Sequence, residues 1–173
     1  MSENPVRSLP GSRALGREEP TALSANLADQ VRRSLETAGC RFTEQRAAVF
    51  AYLAQTETHP TAEAVYLAVR RQMPRISLAT VYKALEALVQ ARLATKLTSG
   101  DASARYDCRG EDHYHLRDVV TGEVRDLPAD FDPNLLAKLD AGLVDQLASQ
   151  GFTVTGYRLE VLGRFGERQA RNC

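Results

Sequence analysis

Histidine and cysteine are both scarce in this chain, with three of each among 173 residues. Cys40, Cys108 and Cys173 form no CxxC pair and are odd in number. That pattern indicates neither a disulfide framework nor a thiolate zinc clamp. No run of 18 apolar residues is present, so no segment reads as a membrane span. The N-terminus lacks the apolar h-region of a secretory signal, and the expected location is the cytoplasm. Net charge is also missing, since 22 Lys/Arg balance 22 Asp/Glu. The balance is uneven along the chain. Residues 26 to 107 carry eleven Lys/Arg against eight Asp/Glu, and residues 108 to 173 carry eight against eleven. The first part is thus the better candidate for meeting an anion.

Residues 1 to 25 are rich in proline, glycine and serine and predict a disordered tail. From Asn26 the spacing turns helical. Leu27, Val31 and Leu35 make one stripe that stops at Gly39. Thr43 is a cap for a second helix ending near Thr56, with Val49, Phe50 and Leu53 among its apolar positions. His59-Pro60-Thr61 is a turn, and Thr61 caps a third helix that Pro74 stops. Ser77 caps a fourth, over about 78 to 91, with Leu78, Val81, Leu85 and Leu88 inward. Its opposite face carries Thr80, Tyr82 and Lys83.

Two extended runs follow, 93 to 98 and 104 to 107, around a turn at Ser99-Gly100-Asp101. Helices followed by a two-stranded wing are in the order of a winged helix-turn-helix, whose last helix enters the DNA major groove. Lys96 and Arg105 on the wing suit phosphate contacts. The alternative is a helical bundle with a capping hairpin and no nucleic acid.

Beyond Arg109 the pattern predicts strands at 113 to 117 and 123 to 127 joined at Thr121-Gly122. A leucine-rich helix follows, with Leu135, Leu136, Leu139, Leu143 and Leu147 on its apolar side. Gly151 ends it, and a last strand runs from Phe152 to Leu162. At about 55 residues this half is small for a stable unit, and oligomerisation would bury its leucines. Residues 163 to 173 read as a tail. The fold class is α+β.

Two of the three histidines, His113 and His115, sit one residue apart. At i and i+2 on a strand they share a face, and Tyr114 points away. In a hairpin centred on Val120 and Thr121, Asp126 would sit opposite His115. Asp107 ends the wing, and His59 lies in the turn between the second and third helices. Three imidazoles and two carboxylates suit Fe²⁺, Mn²⁺ or Zn²⁺. Two surface histidines and solvated carboxylates are the competing reading of the same residues. Cys108, next to Asp107, would point the opposite way.

Five motifs in order then carry a resemblance: His59-Pro60-Thr61-Ala62-Glu63, Ser77-Leu78-Ala79-Thr80-Val81-Tyr82, 100 to 107, Asp112-His113-Tyr114-His115 and Gly122-Glu123-Val124-Arg125-Asp126. Together they resemble the ferric uptake regulator (Fur) superfamily, on its peroxide-sensing branch, over about Asn26 to Leu162. The resemblance implies a homodimeric, metal-dependent repressor that binds double-stranded operator DNA. It implies a winged-helix domain over 26 to 108 and a dimerisation and metal-binding domain over 109 to 162.

His59, Asp107, His113, His115 and Asp126 match the regulatory ligands, with Fe²⁺ or Mn²⁺ as the ion and Zn²⁺ possible in the same site. Asp at 126, where iron-responsive members tend to have Glu, resembles the peroxide-sensing choice. The implied oxidation-sensitive ligands are His59 and His113. For DNA, the resemblance implies contacts from Arg41 and Tyr82, with Arg46, Thr80 and Lys83 beside them.

Departures from the family pattern are equally specific. Two CxxC pairs that hold a structural zinc in many members are missing near 117 to 121 and 163 to 166, so no structural zinc held by four cysteines is expected. A further histidine site of some relatives has Tyr157 here. Three other readings stay open: a metal-supply regulator of the same family, an oxygenase built on a histidine–carboxylate triad, and a metal-free DNA-binding module.

Overall fold

The computed structural model describes residues 23–56, 58–98, 103–108 and 110–166. They fall into two compact units, Met1–Glu111 and Asp112–Cys173. Most of the expected N-terminal tail, up to residue 22, and the turn at 99 to 101 lie outside the described residues, as does most of the expected C-terminal tail.

The first unit contains α1 (Ala25–Thr37), α2 (Glu44–Gln55), α3 (Ala62–Val69), α4 (Leu78–Gln90), β1 (Thr95–Leu97) and β2 (Arg105–Asp107). Each helix starts at a hydroxyl cap. Ser24, Thr43, Thr61 and Ser77 accept from the backbone N–H of Leu27, Arg46, Ala64 and Thr80. Such a bond satisfies a donor that the first turn leaves without an intrahelical partner. Gly39, at φ +74°, lets the chain leave α1 in the left-handed region that a Cβ disfavours.

The apolar stripes of the four helices meet in one core. Val31, Leu35, Val49, Phe50, Leu53, Val65, Val69, Val81, Leu85 and Leu88 are all buried in it. Burying one such side chain contributes roughly 1.5–3 kcal/mol before conformational entropy is set against it. β1 and β2 form the antiparallel wing, with Lys96 opposite Tyr106. The wing strands are shorter than the periodicity suggested.

The second unit contains β3 (His115–Asp118), β4 (Val124–Asp126), α5 (Leu135–Leu139), α6 (Leu143–Ser149) and β5 (Glu160–Gly163). β3 is central, with β4 antiparallel on one side and β5 parallel on the other. Asp118 organises the β3–β4 turn. One of its carboxylate oxygens accepts from Val120 and Thr121 N–H at 2.8 and 2.9 Å, the other from Phe165 N–H at 2.7 Å. Charge-assisted bonds from three backbone donors hold the Asp118 carboxyl well below its ordinary 3.8, at about 2.

Two expectations for this unit are corrected. The leucine helix is two short helices, because the Asp140 carboxylate accepts from Gly142 N–H at 2.8 Å and breaks the run. Neither helix contains a buried residue. The last strand begins at Glu160 rather than Phe152, because its partner β3 is only four residues long.

Candidate metal centre and nucleic-acid interface

In the first unit the turn before α3 is tied to the wing. Tyr106 N–H donates to the Pro60 carbonyl at 3.0 Å, and Thr61 bridges Arg105. The Arg105 guanidinium donates to the His59 carbonyl at 2.9 Å. This fixes the backbone on both sides of a pair that is far apart in sequence. His59 Nε2 lies 3.8 Å from Asp107 Oδ2, and both side chains are buried. Arg105, expected at a phosphate, thus uses part of its guanidinium to hold His59.

In the second unit His115 starts β3 and its register partner is Asp126, as the hairpin reading required. His113 lies just outside the strand rather than on it. Even so, its ring centroid is 4.5 Å from that of His115, and its Nε2 is 3.3 Å from Asp126 Oδ1. Tyr114 does turn the other way. It is buried, its ring lies tilted against Phe131 at 5.4 Å, and its hydroxyl meets that of Tyr157 at 2.9 Å. The Tyr157 hydroxyl also donates to the Asp132 carbonyl. Burial, followed by the bond to Tyr114, holds the Tyr157 phenol well above its usual value. Tyr157 therefore has a packing role in this chain.

Each unit thus presents imidazole beside carboxylate. Nitrogen and carboxylate oxygen donors fit a borderline divalent cation such as Fe²⁺, Mn²⁺ or Zn²⁺, and no thiolate is among them.

Four of the residues expected to face DNA line a single cleft of about 650 Å³: Arg41, Arg46, Thr80 and Lys83. Its remaining lining, Gly39, Cys40, Thr43, Gln45 and Ala84, adds no carboxylate. Three cations and several neutral donors line it, a composition that suits an anion. Arg46 also donates to the Arg41 carbonyl, which ties the α1–α2 loop to α2. Tyr82 is not in the lining. It lies 40% exposed on α4, and its hydroxyl donates to Glu63 Oε1 on α3 at 2.6 Å. Periodicity carries no signal for Glu63, Arg105 or Asp118 as partners, because each acts through a contact distant in sequence.

The model of the ferric uptake regulator family matches residues 37–162. The chain belongs to that family. Every candidate ligand and DNA-facing residue, from Arg41 to Asp126, falls inside the match. Among Fur-family relatives, the peroxide operon regulator of Bacillus subtilis (strain 168) is 38% identical over 141 residues, 79% of this chain and 91% of its own. The peroxide-responsive repressor PerR of Staphylococcus epidermidis is 36% identical over 132 residues, covering 75% and 82%. Among solved Fur-family structures, the peroxide stress regulator of Campylobacter jejuni superposes with a TM-score of 0.54 at 25% identity. It covers 82% of this chain and 98% of that one.

Proposed function

We propose that this chain is a metal-dependent transcriptional repressor that binds double-stranded operator DNA as a homodimer and releases it in response to peroxide. The observation that carries the reading is the donor set. His59 with Asp107, and His113 and His115 with Asp126, are each held close within their own unit. His59, Asp107, His113 and His115 are of metal-ligating type, and three of these four are buried. We take the occupancy of these donors by an ion to be what favours the DNA-competent state. A ligand that favours one arrangement shifts the population by its differential affinity for the two.

Fe²⁺ in such a site supplies the reducing chemistry for hydrogen peroxide. On the protein side, the residues at stake are His59 and His113. An imidazole that gains an oxygen atom is a poorer ligand, and its loss from the set releases the DNA-competent arrangement. The cleft of Arg41, Arg46 and Lys83, with Thr80 and Tyr82, is the proposed contact with the duplex.

Similarity to named peroxide regulators supports this reading over one of metal supply alone, and over the enzyme and metal-free readings. DNA binding by the purified chain loaded with Fe²⁺ or Mn²⁺, each with and without micromolar peroxide, tests it. The iron form is expected to lose binding and to gain one oxygen atom on a peptide containing His59 or His113, while the manganese form keeps both binding and mass. Iron-loaded protein that holds its DNA in peroxide without that mass gain overturns peroxide sensing. Binding that is indifferent to any metal overturns metal dependence.

A further inference from the structure

The bond between Tyr82 and Glu63 stands apart from the basic cleft. Glu63 lies in the first turn of α3, Tyr82 on the exposed side of α4, and the two are 19 residues apart. At 2.6 Å the contact lies in the range of a hydroxyl donating to a charged carboxylate. A phenol has one proton to donate, and here the carboxylate takes it. The hydroxyl is therefore not available as a donor to a phosphate oxygen or a base acceptor. The ring remains as the contact surface, pinned at its far end. A carboxylate beside a DNA-facing surface also repels phosphate, so Glu63 lowers affinity that is independent of sequence.

We propose that Glu63 is a positioning residue for base readout, holding Tyr82 so that the ring rather than the hydroxyl meets the DNA and reads the thymine methyl group. Apolar contact with that methyl is one of the ways in which the major groove is read. The titration behaviour agrees with the geometry. The bond from Tyr82 holds the Glu63 carboxyl below its usual value, and the same bond raises the Tyr82 phenol. The inference rests on the DNA-binding reading given above and adds a determinant of specificity to it.

The test uses the full manganese-loaded chain. The probes are a duplex that this protein selects from a random-sequence pool, and the same duplex made with deoxyuridine in place of thymidine. Wild type is expected to prefer the methylated duplex by roughly fourfold for each Tyr82 that the dimer brings to a thymine, the worth of one buried methyl-sized group. Glu63→Gln keeps an oxygen acceptor and should keep the preference. Glu63→Ala should bring the ratio close to one and lower the titration midpoint of the Tyr82 phenol. Both variants should bind an unselected duplex more tightly, because each removes a negative charge.

Glu63→Ala with an unchanged thymine preference, while Tyr82→Ala is impaired on the selected duplex, overturns the positioning role alone. A Tyr82→Ala chain that binds the selected duplex as wild type does removes Tyr82 from the interface, and the inference with it.

Discussion

The two units hold together by different means. In the first, the fully buried side chains are aliphatic or aromatic: Phe50, Leu35, Leu53, Leu85, Leu88 and five valines. In the second, Val124 alone is of that kind among the described residues. Its buried polar residues take over much of the work. Asp118 gathers three backbone N–H groups, and Arg117 meets Glu160 at 2.9 Å between the neighbouring strands β3 and β5. Several of its large apolar side chains are exposed instead: Val120 is 68% exposed, Leu139 71% and Leu162 61%. One unit has a core of its own. The other has polar ties and several exposed large apolar side chains, whose burial a second copy could supply.

The largest effect expected from this contrast is in the helical core. Phe50→Ala should cost about 3–5 kcal/mol, read as a lower urea midpoint. If unfolding of the first unit is insensitive to it, the core is not what holds that unit.

Metal comes next. An ion bound at the proposed donors should stabilise the folded chain by about 2.7 kcal/mol when its free concentration is a hundred times its Kd. Manganese should raise the thermal midpoint, and a chelator should reverse the rise. His115→Ala should abolish the response without disturbing the helical core. A manganese shift that survives His115→Ala would place the ion elsewhere.

These contrasts also explain what could be read in advance. The first unit was legible because its helices announce themselves twice, by hydroxyl caps at Thr43, Thr61 and Ser77 and by apolar stripes at helical spacing. The pairing of His115 with Asp126 was legible because a short hairpin fixes register from its turn. The second unit was less so. Leu135, Leu139, Leu143 and Leu147 keep helical spacing across Asp140-Ala141-Gly142, and periodicity cannot register one side-chain bond that breaks the run. Alternation from Phe152 onward suggested a long strand, but a strand needs a partner, and β3 offers only four residues. Contacts such as Arg105 with His59 and Glu63 with Tyr82 join distant positions and leave no local trace.

Asp118 supplies a more selective test of the polar side. Asp118→Asn removes the charge that three N–H groups share, and should loosen the second unit while sparing the first. Hydrogen exchange at Val120, Thr121 and Phe165 reads this directly. The pH dependence has a definite sign. Because folding lowers this carboxyl, its stabilising contribution is complete above the ordinary value of 3.8 and fades as pH falls towards about 2. In the Asn variant that acid-dependent component should vanish. Equal acid sensitivity of the two proteins would show that other carboxylates govern the unit.

The smallest effect on the folded chain should come from its outward apolar residues, and it is the one that probes the dimer. Leu162 is on β5, an edge of the three-stranded sheet. Leu162→Ser removes little buried area within one chain, so in dilute solution its stability should stay within about 0.5 kcal/mol of wild type. If β5 is covered by a second copy, the same change strips apolar area from the interface, and the dimer should dissociate at higher protein concentration in sedimentation velocity. The two measurements have to be made together. A residue that matters to association but not to the isolated chain is one whose burial is supplied by the partner. A residue that matters to neither leaves β5 as an ordinary exposed edge and moves the search for the dimer face to the two short helices.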